Sequence, residues 1–138
     1  MPGKKLLSCL RKRDLLNSDR GDPAQLGHLG TRYLEDGRIS DAVDFFEKAH
    51  DREGLSRLLG RCLAEGDFFL YRRVSRVLDI SPAAEDWTKL GDAALSLGKL
   101  YFARSAYREA GVADKLIQVE TLISSYRGGR PTETARIQ

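Results

Sequence analysis

The stretch that decides the fold is residues 87–110, WTKLGDAALSLGKLYFARSAYREA. Its apolar residues recur at intervals of three, four and seven, which places them on one face of a helix. Gly98 lies between two such runs, where a glycine accepts the left-handed turn that ends a helix. Gly91 lies inside the first run, where glycine costs about 1 kcal/mol relative to alanine. Its position therefore indicates that a second helix approaches closely, and the stretch predicts an antiparallel helix pair.

The same pattern occurs twice upstream, so the chain contains an internal repeat. The aligned segments are Leu26-x2-Leu29-Gly30-x2-Tyr33, Leu59-Gly60-x2-Leu63 and Trp87-x2-Leu90-Gly91-x2-Ala94. A second glycine follows each segment, at Gly37, Gly66 and Gly98, and a second amphipathic stretch follows that glycine. The aligned glycines are 30 and 31 residues apart. Periods of this length are typical of proteins built from stacked helix pairs.

These residues resemble a known family. Trp87-x2-Leu90-Gly91-x2-Ala94-x3-Gly98-x4-Ala103-x3-Tyr107-x2-Ala110 resembles a tetratricopeptide repeat, residues 26–49 resemble another, and the middle copy is degenerate. Coatomer-type α-solenoids share the pattern of glycines. The resemblance implies a right-handed α-solenoid of about three antiparallel helix pairs with terminal capping helices. It also implies a non-enzymatic adaptor or scaffold that binds a protein or peptide in its concave groove.

The sequence predicts an all-α fold, because no segment shows sustained strand alternation. We expect helices near 23–36, 40–51, 53–65, 67–79, 82–97, 100–110 and 112–126. Asp22 before Pro23, Ser40 before Asp41, and Ser81 before Pro82 predict three helix starts, each with a side chain that caps the first backbone N–H groups. The repeat domain is predicted to span residues 22–126.

The two ends carry separate predictions. Residues 112–126 bear a continuous apolar stripe, which predicts a helix that caps the repeat stack or binds a partner or second copy. Residues 127–138 are polar and contain two adjacent glycines, which favours a disordered tail. Residues 1–21 are basic and form a possible short helix, which caps the first repeat, lies in solvent, or contacts an anionic membrane or nucleic acid.

The formal net charge of +3 is unevenly distributed. Residues 1–20 carry +4 and residues 127–138 carry +2, whereas residues 21–126 carry −3. Because the repeats are not basic, binding of nucleic acid is not expected, except as an alternative through the basic termini. No apolar run is long enough for a membrane span, and the N-terminus lacks the apolar region of a secretory signal. We therefore expect a cytoplasmic protein.

The chemistry-bearing residues do not assemble into a catalytic set. His28 and His50 lie far apart, and so do Cys9 and Cys62, so no pair has metal-ligand spacing. Cys62 lies in an apolar stripe, which favours a buried structural thiol, although the preceding Arg61 would favour a lowered pKa. We predict no enzyme activity, no metal and no cofactor.

The resemblance assigns the partner-binding residues. They are Arg57, Arg61, Thr31, Thr88 and Asp92, with Leu34 and Leu95 as an apolar floor. Arg57 and Arg61 lie four residues apart on one helical face, where two guanidinium groups hold a carboxylate through forked hydrogen bonds. Alternatively, they form ion pairs with neighbouring carboxylates such as Glu53 or Glu65 and only make the face soluble.

A second basic group lies in the middle repeat. It contains Arg72, Arg73 and Arg76, with Phe69 and Tyr71 beside them. Such a mixture is found in proteins that bind single-stranded nucleic acids, but aromatic rings facing inward with arginines facing outward are the better explanation. Self-assembly through the ends of the repeat stack is the alternative function, and the sequence does not decide between a monomer and a homo-oligomer.

Overall fold

The computed structural model describes residues 7–17 and 22–129, and in these ranges the chain is all-helical, with eight α-helices and no strand. The helices are α1 (Cys9–Asn17), α2 (Pro23–Glu35), α3 (Ile39–Ala49), α4 (Arg52–Glu65), α5 (Phe68–Val77), α6 (Ala84–Ser96), α7 (Leu100–Ala110) and α8 (Ala113–Gly129). The predicted all-α class is confirmed for the described residues. No helix in these ranges is long and apolar enough to cross a membrane.

The chain divides into two compact units, Met1–Gly60 and Arg61–Gln138, with the boundary inside α4. In the first unit α2 packs against α3, and α1 contacts α3. In the second unit α6 packs against α7, and α7 in turn contacts α5 and α8. Turns of three residues join α2 to α3 and α6 to α7, so the helices of each pair run antiparallel.

Left-handed residues mark the repeat more sharply than the sequence does. Left-handed turns lie between α2 and α3, between α4 and α5, and between α6 and α7, at Gly37, Gly66 and Gly98, with φ of 81°, 66° and 76°. Left-handed residues also follow α3, α5 and α7, at His50, Asp79 and Gly111, with φ of 55°, 59° and 74°. Each second position follows the first by 13 residues. The structural repeat therefore has intervals of 29 and 32 residues, whereas the sequence alignment gives 30 and 31.

These intervals correct the register of the middle copy. In α4 the buried apolar side chains are those of Leu55, Leu58 and Cys62, which are equivalent to Leu26, Leu29 and Tyr33 of α2. Gly60 is exposed, and a Cβ built on it would have no neighbour within 4 Å. The alignment of Leu59-Gly60 with Leu29-Gly30 is therefore wrong by one residue. A leucine-glycine pair identified the copy correctly but did not identify which residues face the core.

Gly30 and Gly91 confirm the predicted close approach between helices. A Cβ on Gly30 would lie 2.7 Å from Phe46 Cε1, and a Cβ on Gly91 would lie 2.5 Å from Tyr107 Cε1. In each pair, the aromatic ring of the second helix occupies the space that a side chain on the first helix would need. Ala42 and Ala103, at equivalent positions of α3 and α7, are fully buried. Large and small side chains thus interlock in both pairs, as dense packing requires.

Two of the three predicted helix starts are wrong. Asp22 caps α2 as expected, because its Oδ1 accepts a hydrogen bond from Ala24 N at 3.2 Å. The third helix begins at Ile39, before Ser40, and no side chain caps it. The sixth begins at Ala84, two residues after Pro82, because the Asp86 carboxylate accepts the Ala83 N–H at 3.0 Å and fixes the first turn there.

The terminal helices are attached to their own units. Lys12 of α1 forms ion pairs with Asp41 at 3.1 Å and Asp44 at 3.0 Å on α3. Val119 and Ile123 of α8 are buried in a cluster with residues of α6 and α7. The last helix extends to Gly129, three residues past its predicted end. The rest of the predicted disordered tail, residues 130–138, lies outside the described residues, as do residues 1–6 of the basic segment.

Candidate functional site

The arginines that the sequence selects for partner binding form ion pairs along their own helix. Arg57 Nη1 lies 3.6 Å from Glu53 Oε1, and Arg61 Nε lies 2.7 Å from Glu65 Oε2. The corrected register also removes the reason for choosing them, since the positions equivalent to Gly27 and Thr31 in α4 are Ser56 and Gly60. The alternative interpretation, in which these arginines pair locally, describes the observed contacts.

Thr31 and Thr88 lie on the first helices of their pairs, and their hydroxyl groups bond within the helix. Thr31 Oγ1 donates to the Gly27 carbonyl at 3.1 Å, and Thr88 Oγ1 donates to the Ala84 carbonyl at 2.9 Å. Each hydroxyl oxygen keeps its lone pairs, so it remains an acceptor for a ligand's N–H or O–H group.

Asp92 joins three helices of the second unit. Its Oδ1 accepts hydrogen bonds from Tyr107 Oη at 2.6 Å and from Lys115 Nζ at 2.8 Å. Partial burial disfavours the charged form of Asp92, but the hydrogen bonds from Lys115 and Tyr107 outweigh it and lower the pKa of the carboxyl group. Burial, together with the bond to Asp92, raises the pKa of the Tyr107 hydroxyl. The contacts of Asp92 thus give it a structural role.

Leu34 and Leu95, the predicted apolar floor, occupy equivalent positions at the ends of α2 and α6. Both are half-buried, and their carbonyl groups accept the N–H of the turn glycines Gly37 and Gly98, each at 3.0 Å. They lie in different units, so each belongs to the surface of its own helix pair.

An open cavity of about 400 Å³ lies in the first unit, at the predicted binding position Thr31. It is lined by Pro23, Ala24, Gly27, His28, Thr31, Ala49 and Asp51. The α2 helix supplies one wall, because Gly27, His28 and Thr31 follow each other around the same face. Since Gly27 has no side chain, the space beside the helix backbone stays open.

The cavity wall carries hydrogen-bond acceptors. Asp51 Oδ1 accepts the N–H of Gly54 at 2.9 Å and so caps α4. The other oxygen, Oδ2, faces Gly27, because a Cβ on that glycine would lie 3.4 Å from it. Together with the lone pairs of Thr31, this carboxylate favours a ligand group that donates hydrogen bonds and carries positive charge. The surrounding residues 22–60 carry a formal charge of −3.

Sequence reasoning selected Thr31 but missed Asp51 and His28 as cavity residues. In the sequence, Asp51 is one of several carboxylates between residues 41 and 53, whose helical spacing favours a solvated acidic face. A usable signal was its place immediately before Arg52, where an aspartate begins a helix and is held in one orientation. His28 had no signal beyond its position next to Gly27.

Cys62 is fully buried, as predicted, and burial raises its pKa to about 12. A thiol with so high a pKa does not act as a nucleophile at neutral pH. Within residues 7–17 and 22–129, no three histidine, cysteine or acidic side chains are grouped closely enough to hold a metal ion.

The aromatic residues beside the basic group of the middle repeat do not all face inward. Tyr71 is buried, as expected for an inward ring, but Phe69 is 56% exposed. The interpretation in which every aromatic ring faces inward is therefore wrong for Phe69.

Comparisons with known proteins found no matching family model, no matching curated protein and no matching solved structure.

Proposed function

We propose that this chain is a non-enzymatic helical-repeat module, similar to tetratricopeptide proteins, that binds a protein or peptide partner on the first helices of its pairs. In this proposal the pairs stack as a right-handed α-solenoid, and the partner lies in the concave groove. The observation that carries the proposal is the cavity beside Thr31, which lies at a groove position that the repeat pattern assigns.

The cavity also defines the chemistry of the partner. A lysine or arginine side chain matches it, because the Asp51 carboxylate and the Thr31 hydroxyl both accept hydrogen bonds there. Three wall residues, Pro23, Ala24 and Ala49, are apolar and would contact the methylene groups of such a side chain. The preferred partner is therefore a peptide segment with a basic residue beside apolar ones.

The test selects binders from a displayed library of random peptides and compares two glycine variants. Gly27→Leu fills the cavity, whereas Gly60→Leu places the same side chain at an exposed point of α4 with open space around it. We expect peptides enriched in lysine and arginine, with affinity reduced at least about tenfold by Gly27→Leu, or about 1.4 kcal/mol. Gly60→Leu should bind like the original chain. If the selected peptides bind Gly27→Leu as tightly as they bind the original chain, the proposal is contradicted.

Self-assembly is a second candidate, favoured by the outer surface of α8. Ile117 is 62% exposed and Tyr126 is 70% exposed, and an open cavity of about 290 Å³ lies beside Tyr126, Tyr101 and Ile123. Large exposed apolar residues are frequent at interfaces. Light scattering on the original chain and on Ile117→Ser with Tyr126→Ser tests this function. A mass that stays monomeric at high concentration would exclude it.

A further inference from the structure

The second helices α5 and α7 carry the same pair of side chains, an exposed aromatic ring followed three residues later by a half-buried arginine. Phe69 and Arg72 form this pair on α5, and Tyr101 and Arg104 form it on α7. The Cζ atom of Arg72 lies 5.6 Å from the centre of the Phe69 ring, and that of Arg104 lies 5.0 Å from the centre of the Tyr101 ring. Both distances indicate cation–π stacking.

The two pairs occupy equivalent positions of the repeat. They are separated by 32 residues, which is also the interval between the left-handed turns at Gly66 and Gly98. Both rings are more than half exposed, at 56% for Phe69 and 54% for Tyr101. The equivalent residues of α3 are Ser40 and Val43, so the first unit does not carry the feature.

Both pairs belong to the second unit, on helices that lie next to each other. The α5 and α7 helices contact each other, and the Phe69 ring lies 5.6 Å from the Phe102 ring in an edge-to-face arrangement. Arg72 also lies 5.0 Å from the centre of the Phe68 ring. The rings of Phe68, Phe69 and Phe102 therefore form a row that leads from α5 to α7.

The charges of the two stacked arginines, Arg72 and Arg104, are not offset by an ion pair within the described residues. The α5 helix contains three arginines and no acidic residue, whereas α6, which is the first helix of the pair α6–α7, carries a formal charge of −2. Among the described residues, neither Arg72 nor Arg104 forms an ion pair, and Arg104 Nε is buried without a hydrogen-bond acceptor. Ring stacking therefore orients these guanidinium groups and leaves their charge available.

We propose that this surface of α5 and α7 binds single-stranded nucleic acid. A polynucleotide repeats one flat base and one phosphate along its length, and this surface repeats one ring and one guanidinium group at the interval of the helix pairs. Bases stack on aromatic rings and on guanidinium planes, and arginines hold the phosphates. The exposed part of each ring is the surface on which a base lies, and the arginine beside it holds the phosphate.

Other anionic polymers match this surface less well. In a duplex the bases are stacked on each other, so the exposed rings of Phe69 and Tyr101 would have nothing to stack on. An acidic polypeptide would bind the arginines but would gain little from the two rings. The dependence of binding on the rings therefore distinguishes the proposed ligand from these alternatives.

The test measures the fluorescence anisotropy of labelled oligouridine as the full chain is added. The duplex of the same oligonucleotide with its complement, and polyglutamate, are measured as separate probes. Phe69→Ala and Tyr101→Ala should each weaken oligouridine binding about tenfold. Arg72→Gln and Arg104→Gln keep the rings, and each should reduce the slope of log affinity against log salt by about 0.7. Circular dichroism of every variant confirms that the helices remain folded.

The matched control is Arg57→Gln with Arg61→Gln, which removes two exposed arginines from α4. The affinity for oligouridine should stay within about twofold of that of the original chain. The reason is that salt screens exposed charges that lie away from the stacking site. Absence of binding, or ring variants that bind like the original chain, would overturn the proposal. Equal affinity for the duplex, or polyglutamate binding with the same dependence on the rings, would also overturn it.

Discussion

At Gly91, which packs against Tyr107, an added side chain changes the free energy of unfolding in two opposite ways, through helix propensity and through packing. Gly91→Ala improves the intrinsic propensity of α6 by about 1 kcal/mol. The added methyl group would lie 2.5 Å from Tyr107 Cε1, which is too close for carbon atoms. The ring cannot move freely, because its hydroxyl donates to Asp92 at 2.6 Å. Overpacking of this kind costs about 1–3 kcal/mol.

Gly60→Ala is the matched control for this prediction. It makes the same change inside a helix, but its new Cβ would have no neighbour within 4 Å, so only the gain in propensity remains. Since propensity contributes to both variants, the difference between their free energies of unfolding isolates the packing contribution. We expect Gly91→Ala to be less stable than Gly60→Ala by about 1–3 kcal/mol.

The assay is urea unfolding followed by far-ultraviolet circular dichroism, with the original chain measured beside both variants. Replacing Tyr107 by leucine should reduce the penalty of Gly91→Ala, because a smaller side chain leaves room for the methyl group, and a double-mutant cycle measures that coupling. Equal stability of Gly91→Ala and Gly60→Ala would refute the close approach between α6 and α7.

Two further predictions concern titratable groups. Because the folded pKa of Asp92 lies below its ordinary value of 3.8, its contribution to stability is present above that value and is lost as the pH falls through the folded pKa. Asp92→Asn should therefore lower the melting temperature at neutral pH, with a difference that shrinks below pH 3.8, and a constant difference would contradict this assignment. Cys9 is exposed and Cys62 is buried with a pKa of about 12, so a thiol reagent at mildly alkaline pH should label one cysteine in the folded chain and the second only in urea. Rapid labelling of both in the folded chain would show that α4 opens readily.

The sequence predicted the helices well because each has a strong apolar period and a clear end. All seven predicted helices occur, and no end differs by more than three residues. The errors lie where a polar residue suggested a cap. Ser40 and Ser81 are good capping residues in isolation, but Asp86 accepts the N–H of Ala83 and so starts α6 later. Local propensity does not reveal which of several neighbouring caps forms.

The candidate site was only partly predictable. Thr31 was found because the resemblance to tetratricopeptide repeats assigns groove positions by counting from Gly30. The same counting failed in the middle copy, because the visible glycine, Gly60, is not the residue that faces the neighbouring helix. On α5 the sequence singled out Phe69 and Arg72, but it did not identify Tyr101 and Arg104 as their equivalents on α7. That equivalence depends on the interval between the left-handed turns at Gly66 and Gly98.

The most direct test of partner binding at the first unit is a nuclear magnetic resonance titration of the isotope-labelled chain with a selected basic peptide. If the cavity binds the peptide, the largest amide shift changes should occur at Gly27, His28, Thr31 and Asp51, and Gly27→Leu should abolish them. Shift changes centred on Arg57 and Arg61, with the cavity residues unaffected, would contradict the account.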